Sequence, residues 1–288
     1  MELKIHGVTK KYGEKYAVDN LTVTFQQGVN GLLGANGSGK STLMKMMCDI
    51  TKPSKGTIML NGVDISTMGE DYRSILGYLP QDFGYYPYFS GWDFMMYLAS
   101  VKGLERSEAQ TKSTELLQMV GLYDVRKKKI KGYSGGMKQR LGIAQSLLND
   151  PDILILDEPT VGLDPKERAK FRNIISGLSA EKLVVLSTHI VSDVEFIADK
   201  IFLMKEGNIF EQSPIESVCD SIKDYVWQLQ VRADEVDSYT NKYVVSHLKN
   251  VGQLVELRIV SKDRPSEKAI NVPPNLEDLY LYHFRDHV

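Results

Sequence analysis

The sequence has few cysteines and no long hydrophobic run. Only two cysteines, Cys48 and Cys219, occur among its 288 residues, too few for a disulfide framework or a metal cage of thiolates. They indicate a reduced compartment. No stretch approaches the roughly 18 apolar residues of a bilayer-spanning helix, and the N-terminus lacks the basic flank and apolar core of a secretory signal. These absences predict a soluble, cytoplasmic chain that would serve a membrane process only through a partner.

An excess of either charge is also missing. Lys and Arg total 35 and Asp and Glu total 37, which leaves a net charge of -2. This balance argues against a protein that mainly coats nucleic acid, although it leaves room for a local basic patch. The composition, 42% hydrophobic and 25% charged, is that of an ordinary globular protein, and the length suits one large domain or two ordinary ones.

The hydrophobic pattern predicts an α/β fold with a mostly parallel core sheet. Residues 1 to about 30 are predicted to be β, because positions such as Leu21, Val23 and Phe25 alternate with polar residues. Later apolar runs alternate with helical segments, which is typical of a parallel sheet covered on both faces. The predicted strands are 29–33, 57–60, 75–79, 153–157 and 183–187, with a hairpin at 200–204 and 208–211; the predicted helices are 40–50, 165–177 and 191–198.

Two segments depart from this alternation. Residues 82 to about 150 have helical periodicity, at 92–102, 107–120 and 135–149, with Ser90 as the cap of the first helix. After Gln212 the pattern indicates strands at 225–231, 243–248 and 253–260 and a closing helix at 275–284. We therefore predict a main domain over residues 1–212, with a helical subdomain at about 82–150, and a small α+β accessory domain over residues 213–288.

A glycine-rich segment between a predicted strand and a predicted helix fits the phosphate-loop pattern G-x-x-x-x-G-K-[ST]. Its glycines let backbone N–H groups turn inward around phosphate oxygens, and the next helix directs its positive end there. Lys40 adds charge for the β- and γ-phosphates, and the Ser41 hydroxyl can bind Mg²⁺. The alternative is a glycine-rich turn without a ligand. The segment is Gly34, Ala35, Asn36, Gly37, Ser38, Gly39, Lys40 and Ser41, followed by Thr42.

Two adjacent carboxylates, Asp157 and Glu158, follow the apolar run 153–156. Open α/β sheets bind ligands at the carboxyl ends of their parallel strands. Asp157 can hold Mg²⁺ through its water shell, and Glu158 can polarise an attacking water. A carboxylate pair at a strand end is otherwise often a helix cap. The phosphate loop upstream favours the catalytic interpretation.

The segment between these motifs resembles the signature of ATP-binding cassette (ABC) ATPases, L-S-G-G-Q. Tyr133 stands in place of the family's Leu and Met137 in place of its Gln, which puts a side-chain contact at position 137 in doubt. Further motifs follow the family's order along the chain. The segment reads Tyr133-Ser134-Gly135-Gly136-Met137-Lys138-Gln139-Arg140; the other motif residues are Tyr12, the Q-loop Gln81, the D-loop Asp164 and the switch His189.

The resemblance implies the P-loop NTPase fold of an ABC cassette, with an antiparallel β subdomain and a helical insertion. It further implies that two cassettes face each other head to tail, each ATP lying between the phosphate loop of one and the signature of the other. One chain would hold two half-sites, which part after hydrolysis. All catalytic positions are present, so the resemblance favours a homodimer over a degenerate partner. The residues acting across the dimer would be Ser134, Gly135, Gly136 and Asp164.

The resemblance also implies a role for each motif residue. Lys40 would neutralise phosphate charge, Glu158 would be the general base, and His189 would contact the γ-phosphate. Gln81 would sense Mg²⁺ and the attacking water, while Tyr12 would stack on adenine. A lone Gln, His or Tyr is more often structural, so these roles depend on the ordered motifs. The implied ATP ligands are Tyr12, Asn36, Gly37, Ser38, Gly39, Lys40, Ser41, Thr42 and Gln81; the implied Mg²⁺ ligands are Ser41, Gln81 and Asp157.

Three hypotheses describe what the cassette drives. The first is the ATPase subunit of a membrane transporter whose permease is a separate polypeptide. The second is an ABC ATPase that acts on ribosomes or nucleic acid; the single cassette, the lack of a coiled coil and the near-neutral charge argue against it. The third is a cassette that regulates without hydrolysis, and the intact residues Lys40, Asp157, Glu158 and His189 argue against it.

Two segments bear on the transporter hypothesis. The aromatic-rich stretch 83–89 lies where the family receives a coupling helix of the membrane subunit, although its rings could instead pack within the insertion. The basic run 126–131 could face anionic lipid or nucleotide, or be a solvated loop. The signature and the segment 274–280 resemble bacterial export cassettes for drugs and peptide antibiotics. We therefore predict a bacterial exporter subunit, peripheral at the cytoplasmic face of the membrane, with no nucleic-acid partner and a substrate chosen by the permease.

Overall fold

The computed structural model describes residues 1–284 and divides the chain into two units, Met1–Gln212 and a second that begins at Ser213. The last four residues of the predicted accessory domain lie outside the described residues. The strands are β1 (Glu2–Tyr12), β2 (Lys15–Gln26), β3 (Gly28–Leu33), β4 (Lys55–Leu60), β5 (Val63–Asp64), β6 (Leu76–Leu79), β7 (Ile153–Asp157), β8 (Leu183–Thr188), β9 (Lys200–Lys205), β10 (Asn208–Pro214), β11 (Val226–Arg232), β12 (Val244–Val251), β13 (Leu254–Val260) and β14 (Ile270–Asn271). The helices are α1 (Lys40–Met47), α2 (Ile65–Met68), α3 (Glu70–Ser74), α4 (Gly91–Val101), α5 (Arg106–Met119), α6 (Gly135–Ser146), α7 (Pro165–Leu178), α8 (Val191–Val194), α9 (Val236–Thr240) and α10 (Leu276–Phe284).

A six-stranded sheet in the order β10-β9-β3-β8-β7-β6 is the centre of the first unit. β3 pairs in parallel with β8 and β9, and β7 pairs in parallel with β8 and β6. Strands β3, β7 and β8 are buried along their whole length, which explains their almost purely apolar sequences. The predicted mostly parallel core sheet is confirmed. The loops after β3, β7 and β8 therefore open at the same edge of the sheet.

A second sheet of the first unit, ordered β2-β1-β4-β5, is antiparallel. Its apolar residues share one core with α1 and with the central sheet. In that core Leu43 and Met47 of α1 pack with Ile155 of β7 and Val185 of β8. The helix that follows the phosphate loop is thus held firmly against the strands that carry the predicted carboxylates.

Helices α4, α5 and α6 form the predicted insertion between β6 and β7. α4 begins with a capping box in which the Ser90 hydroxyl accepts from the Asp93 backbone N–H at 3.0 Å, which confirms the predicted cap. Gln145 of α6 donates to the backbone oxygen of Tyr78 in β6 at 3.0 Å. This bond ties the end of the insertion to the edge strand of the core sheet.

The second unit is an antiparallel sheet in the order β12-β13-β11-β14 together with α10. Leu229, Leu257 and Ile259 are the centre of its own small core. Asp278 of α10 is fully buried and accepts hydrogen bonds from Arg258, whose Nη2 lies 2.7 Å from Oδ2, and from Ser246 at 2.6 Å. This ion pair satisfies the buried carboxylate and fixes α10 on the sheet.

Several predicted helix ends are wrong. The helix expected over 191–198 ends at Val194, because the backbone N–H of Asp199 donates to Val29 in β3 at 2.8 Å and so draws the chain toward the sheet. The helix expected over 135–149 ends at Ser146, and Asp150 takes a positive φ of 46° before Pro151. Helices α2, α3 and α9 were not predicted. Over residues 1–284, no helix combines the length and apolar composition needed to cross a bilayer.

Candidate functional site: a nucleotide cleft

The segment between β3 and α1 forms a loop that glycines keep tight. A Cβ on Gly34 would lie 2.3 Å from the backbone oxygen of Met204, so only glycine allows this approach to β9. Gly39 has a φ of 109°, in the left-handed region, and a Cβ there would lie 2.3 Å from the oxygen of Ala17. α1 begins at Lys40, and its first N–H groups, which have no partner within the helix, open onto the loop. The backbone is thereby arranged for an anion.

Lys40 holds a buried ammonium group above this loop. Its Nζ donates to the backbone oxygens of Gly34 at 2.7 Å and Ala35 at 3.1 Å, and lies 3.9 Å from Glu158 Oε1. Burial lowers the pKa of Lys40, and attraction to Glu158 and Asp157 partly opposes this shift. Burial thus disfavours the charged ammonium despite these partners, and an anion nearby would stabilise it.

The two carboxylates at the end of β7 are held by the neighbouring strand β8. Asp157 pairs in register with Ser187, whose hydroxyl donates to Asp157 Oδ1 at 2.6 Å. The backbone N–H of Glu158 donates to the same hydroxyl at 3.0 Å and to the Ser187 carbonyl at 3.2 Å. Glu158 itself takes a positive φ of 51°. This unusual backbone turns the Glu158 carboxylate away from the path of the strand and toward the loop.

His189 completes the carboxylate cluster. Its Nδ1 lies 2.9 Å from Glu158 Oε2, and the two side chains are 42% and 4% exposed. Glu158 therefore contacts Lys40 through one oxygen and His189 through the other. A carboxylate, a cation and an imidazole therefore meet at the carboxyl ends of adjacent strands, an arrangement suited to orienting a water.

A cleft of about 420 Å³ opens over the loop. It brings together most of the nucleotide residues predicted from the sequence, and Tyr12 at its rim is half exposed, as a stacking ring requires. Ser38 lies beneath it with a buried hydroxyl that has no hydrogen-bond partner, consistent with an anion in the loop. The cleft is lined by Tyr12, Lys15, Ala17, Asn36, Gly37, Gly39, Lys40, Ser41, Thr42, Gln81 and Glu158.

The oxygen donors of the cleft suit Mg²⁺ better than a metal that needs its own cage. No group of three or more His, Cys, Asp or Glu side chains able to hold a metal occurs within residues 1–284. The Ser41 hydroxyl and the Gln81 amide line the cleft. The buried Asp157 carboxylate does not line it, but it is close enough to Lys40 to oppose the lowering of that residue's pKa. Mg²⁺ usually binds through one or two such groups together with substrate phosphates.

The signature residues do not line this cleft. Ser134 caps α6 by accepting from the Met137 N–H at 3.2 Å, and Gly135 is exposed with open space around it. Gly136 is buried against Glu167, whose carboxylate pairs with Arg140 of α6 at 2.8 Å. In the part of the chain that the structure describes, the signature residues therefore lie on a surface separate from the cleft.

The D-loop residue Asp164 also lies outside the cleft lining. Its Oδ1 accepts from the backbone N–H of Glu167 at 2.8 Å and so caps α7. Since Glu167 contacts both Gly136 and Arg140, the first turn of α7 and the first turns of α6 are joined. The signature and the D-loop are thus parts of one surface.

A second cavity, of about 560 Å³, lies in the helical insertion. Rings of the 83–89 stretch pack on one another and on α4, with Phe83 and Tyr86 5.6 and 6.4 Å from Phe94. Tyr86 and Tyr97 nevertheless remain about half exposed. The aromatic stretch therefore packs inside the insertion and also lines a groove, which we call the aromatic groove; reception of a coupling helix there stays a prediction.

Three residues of the nucleotide cleft and its carboxylate cluster were not identified from the sequence. Lys15 and Ala17 of β2 line the cleft, but no motif marks them. Ser187 supports both residues that carry the carboxylates, through its hydrogen bonds to the Asp157 side chain and the Glu158 backbone. The sequence could have indicated this role, because Ser187 is a polar residue that follows the apolar run of β8 and pairs with Asp157.

Comparisons with known proteins agree with this geometry. The family model described as ABC transporter matches residues 18–161. An uncharacterized ABC transporter ATP-binding protein, YxlF of Bacillus subtilis, is 37% identical over 80% of this chain and 77% of its own length. The Nod factor export ATP-binding protein I of Burkholderia lata is 33% identical over 97% and 95%. The bacitracin transport ATP-binding protein BcrA of Enterococcus faecalis is 36% identical over 75% and 70%.

Solved structures give the same result. A dimeric structure of the bacterial ABC transporter cassette MJ0796 has a TM-score of 0.69 and 27% identity, and covers 74% of this chain and 98% of its own. A post-hydrolysis dimer of the same cassette, bound to ADP and Pi, has a TM-score of 0.68 and 26% identity, with the same coverage. The chain belongs to the ABC transporter family as an ATP-binding subunit, and it is an ATPase.

Proposed function

We propose that this chain is the motor subunit of a bacterial exporter, which drives a separate permease through ATP-dependent dimerisation at the cytoplasmic face of the membrane. One observation carries the proposal: the phosphate loop and Glu158 line one cleft, His189 contacts Glu158, and Asp157 precedes Glu158 at the end of β7, whereas the signature does not line that cleft. A single chain therefore has two complementary halves of a site. The similarity to a Nod factor export ATP-binding protein supports export as the direction, and the similarity to a bacitracin transport ATP-binding protein supports a role in transport.

Within the cleft, each side chain has a distinct role in ATP hydrolysis. Lys40 leaves its contacts with Gly34 and Ala35 to bind phosphate oxygens, which frees Glu158 from the ammonium 3.9 Å away. Glu158 then accepts a proton from the attacking water, and His189 holds that carboxylate and contacts the γ-phosphate.

Mg²⁺ fits the remaining oxygen donors. The Ser41 hydroxyl, the Gln81 amide oxygen and the Asp157 carboxylate would hold it, and Ser187 keeps Asp157 in place with its 2.6 Å hydrogen bond. When bound, Mg²⁺ neutralises charge on the phosphates. Gln81 begins the segment that leads to the helical insertion, so it links the metal site to the aromatic groove.

The second half of each site comes from another copy of the chain. Ser134, Gly135 and Gly136 present the N-terminus of α6, a favourable place for a γ-phosphate, and Asp164 lies on the same surface. Because all catalytic positions are present, two copies would build two equal sites. A symmetric pair needs no degenerate partner.

Mixed dimers test this arrangement. Lys40→Ala inactivates the phosphate loop and keeps the signature, while Gly135→Glu blocks the signature at a position with open space and keeps the loop. Neither variant alone should hydrolyse ATP. An equal mixture should recover about one quarter of wild-type turnover, since half of the dimers are mixed and each has one intact site. A mixture as inactive as its components would contradict the shared site.

The permease is expected to dock at the aromatic groove. Its rings offer a half-buried apolar surface of the kind that receives an amphipathic helix. Affinity capture from a detergent extract of the source bacterium should recover a polytopic membrane protein. Tyr86→Ala should reduce that recovery, and Phe196→Ala, an exposed ring outside the groove, should not. Recovery of ribosomes instead would support an ABC ATPase that acts on translation.

A further inference from the structure

Asp193 is a buried carboxylate for which the catalytic scheme has no use. It lies in the short helix α8, four residues after His189, and is fully buried. Burying a carboxylate is costly unless it is paired or hydrogen-bonded, so its contacts explain its position. The hydroxyl of Thr160, itself fully buried, donates a short hydrogen bond to Asp193 Oδ2. Asp193 Oδ1 has no hydrogen-bond partner and lies 3.8 Å from Arg168 Nη1.

Both partners of Asp193 are bonded to the loop 158–163, which begins with the proposed base. Thr160 comes two residues after Glu158, and its carbonyl accepts from the N–H of Leu163 at 3.1 Å. Arg168 of α7 donates through Nε to the carbonyl of Leu163 at 3.2 Å. Groups that contact Asp193 therefore hold the loop 158–163 at Thr160, within the loop, and at Leu163, its last residue.

Asp193 is also connected, through backbone hydrogen bonds, to the turn that contains His189. Its backbone N–H donates to the carbonyl of Ile190 at 3.1 Å, and the N–H of Ile190 donates to the Thr188 hydroxyl at 2.9 Å. These two bonds close the turn in which His189 lies. Thr160 and Asp193 thus connect the turn of His189 to the loop of Glu158.

The Glu158–His189 contact needs such a connection. The His189 ring is 42% exposed, so packing alone does not fix it, and Glu158 sits on a left-handed backbone that favours other conformations. The 2.9 Å contact between them joins two loops that leave different strands. Displacements of about 1 Å in such a contact can cost on the order of 100-fold in rate.

We propose that Asp193 is a positioning residue for ATP hydrolysis, which holds the loop of Glu158 against the turn of His189 through Thr160 and Arg168. This inference rests on the proposed roles of Glu158 and His189. It adds that the pair reaches its full rate only while the buried Asp193–Thr160 bond is intact.

The test separates chemistry from nucleotide binding. Asp193→Ala and Thr160→Val should each lower kcat by about 10- to 100-fold. The ATP dissociation constant, measured by calorimetry, should stay within about twofold, since the phosphate loop is not touched. Thr160→Ser retains the hydroxyl and should retain most of the turnover. A purely structural role would instead lower the amount of folded protein and leave the kcat of the folded fraction unchanged.

A matched control is Asp278→Ala, which removes another fully buried carboxylate, one bonded to Arg258 in the second unit. It should leave kcat unchanged.

The outcomes are distinguishable. If Glu158→Gln retains turnover, the proposed function fails before Asp193 is considered. If Glu158→Gln and His189→Ala are inactive but Asp193→Ala and Thr160→Val match the wild-type kcat, the positioning role is refuted and the catalytic roles stand. A Thr160→Ser variant as slow as Thr160→Val would also overturn the inference.

Discussion

Replacing Ser187 with alanine gives a quantitative test of the carboxylate cluster. The change removes the 2.6 Å bond to Asp157 Oδ1 and the 3.0 Å bond from the Glu158 N–H. Glu158 keeps a second acceptor, the residue 187 carbonyl at 3.2 Å, so the uncompensated loss falls on the buried Asp157 carboxylate. Hydrogen bonds to charged groups contribute about 1.5–3 kcal/mol. We expect the free energy of unfolding of the first unit to fall by about that amount.

Ser146→Ala is the matched control. Ser146 is also fully buried, but its hydroxyl donates to the neutral carbonyl of Ile143 at 2.8 Å, so its loss should cost only about 1 kcal/mol. The two tryptophans make the assay selective, because Trp92 lies in the first unit and Trp227 in the second. Urea unfolding followed by fluorescence in a Trp227→Phe background therefore reports the first unit alone.

Nucleotide supplies the second arm of this test. If Mg²⁺ binds Asp157 as proposed, the metal replaces the lost hydroxyl as a partner, and saturating Mg²⁺ and ATP should shrink the deficit of Ser187→Ala. The deficit of Ser146→Ala should not change. Equal losses for the two variants without nucleotide would refute the view that Ser187 supports a buried charge, and an unchanged deficit with nucleotide would contradict the metal site at Asp157.

Three further predictions concern the loop, its lysine and the second unit. Burial lowers the pKa of Lys40 and ATP requires its charged form, so ATP affinity should fall as pH rises through a range below that of ordinary lysine; calorimetry of Lys40→Met should show no such fall. Gly39→Ala should abolish ATP binding, whereas Gly37→Ala, with no atom within 4 Å of its Cβ, should show only a left-handed backbone cost of about 1–2 kcal/mol; equal effects would contradict the steric argument. Asp278→Ala strands Arg258 and should destabilise the second unit by about 3–5 kcal/mol in urea, and a loss under 1 kcal/mol would contradict it.

Much of the fold was accessible from the sequence, because local patterns and long-range order agree there. β7 spans the predicted residues Ile153–Asp157. A run of apolar residues is typical of a strand buried on both faces, and the carboxylates that follow the run mark its end. Ser90 caps α4 as predicted, because the two residues of the capping box, Ser90 and Asp93, lie only three positions apart in the sequence. Most residues predicted to bind nucleotide line one cleft, because the phosphate loop that supplies most of them is a contiguous motif; their contacts with ATP stay a prediction.

The parts that were missed depend on contacts between distant residues. The helix after His189 stops early because Asp199 bonds to β3, a contact across 170 residues of chain. The left-handed backbone of Glu158 depends on hydrogen bonds to Ser187, and the burial of Asp193 depends on Thr160. None of these carries a periodic or motif signal. They are visible only once β7 and β8 are seen side by side.

The place where the helical insertion joins the sheet has an evolutionary consequence. The insertion leaves from β6, the outermost strand, and returns through β7, its immediate neighbour, so no strand lies between its two points of attachment. Such a segment can be replaced by the equivalent segment of a homologue without any change in the order or pairing of the strands of the central sheet. The insertion and the catalytic strands can therefore diverge at different rates, and a chimera that carries a relative's insertion should acquire that relative's docking preference while keeping its own ATP chemistry.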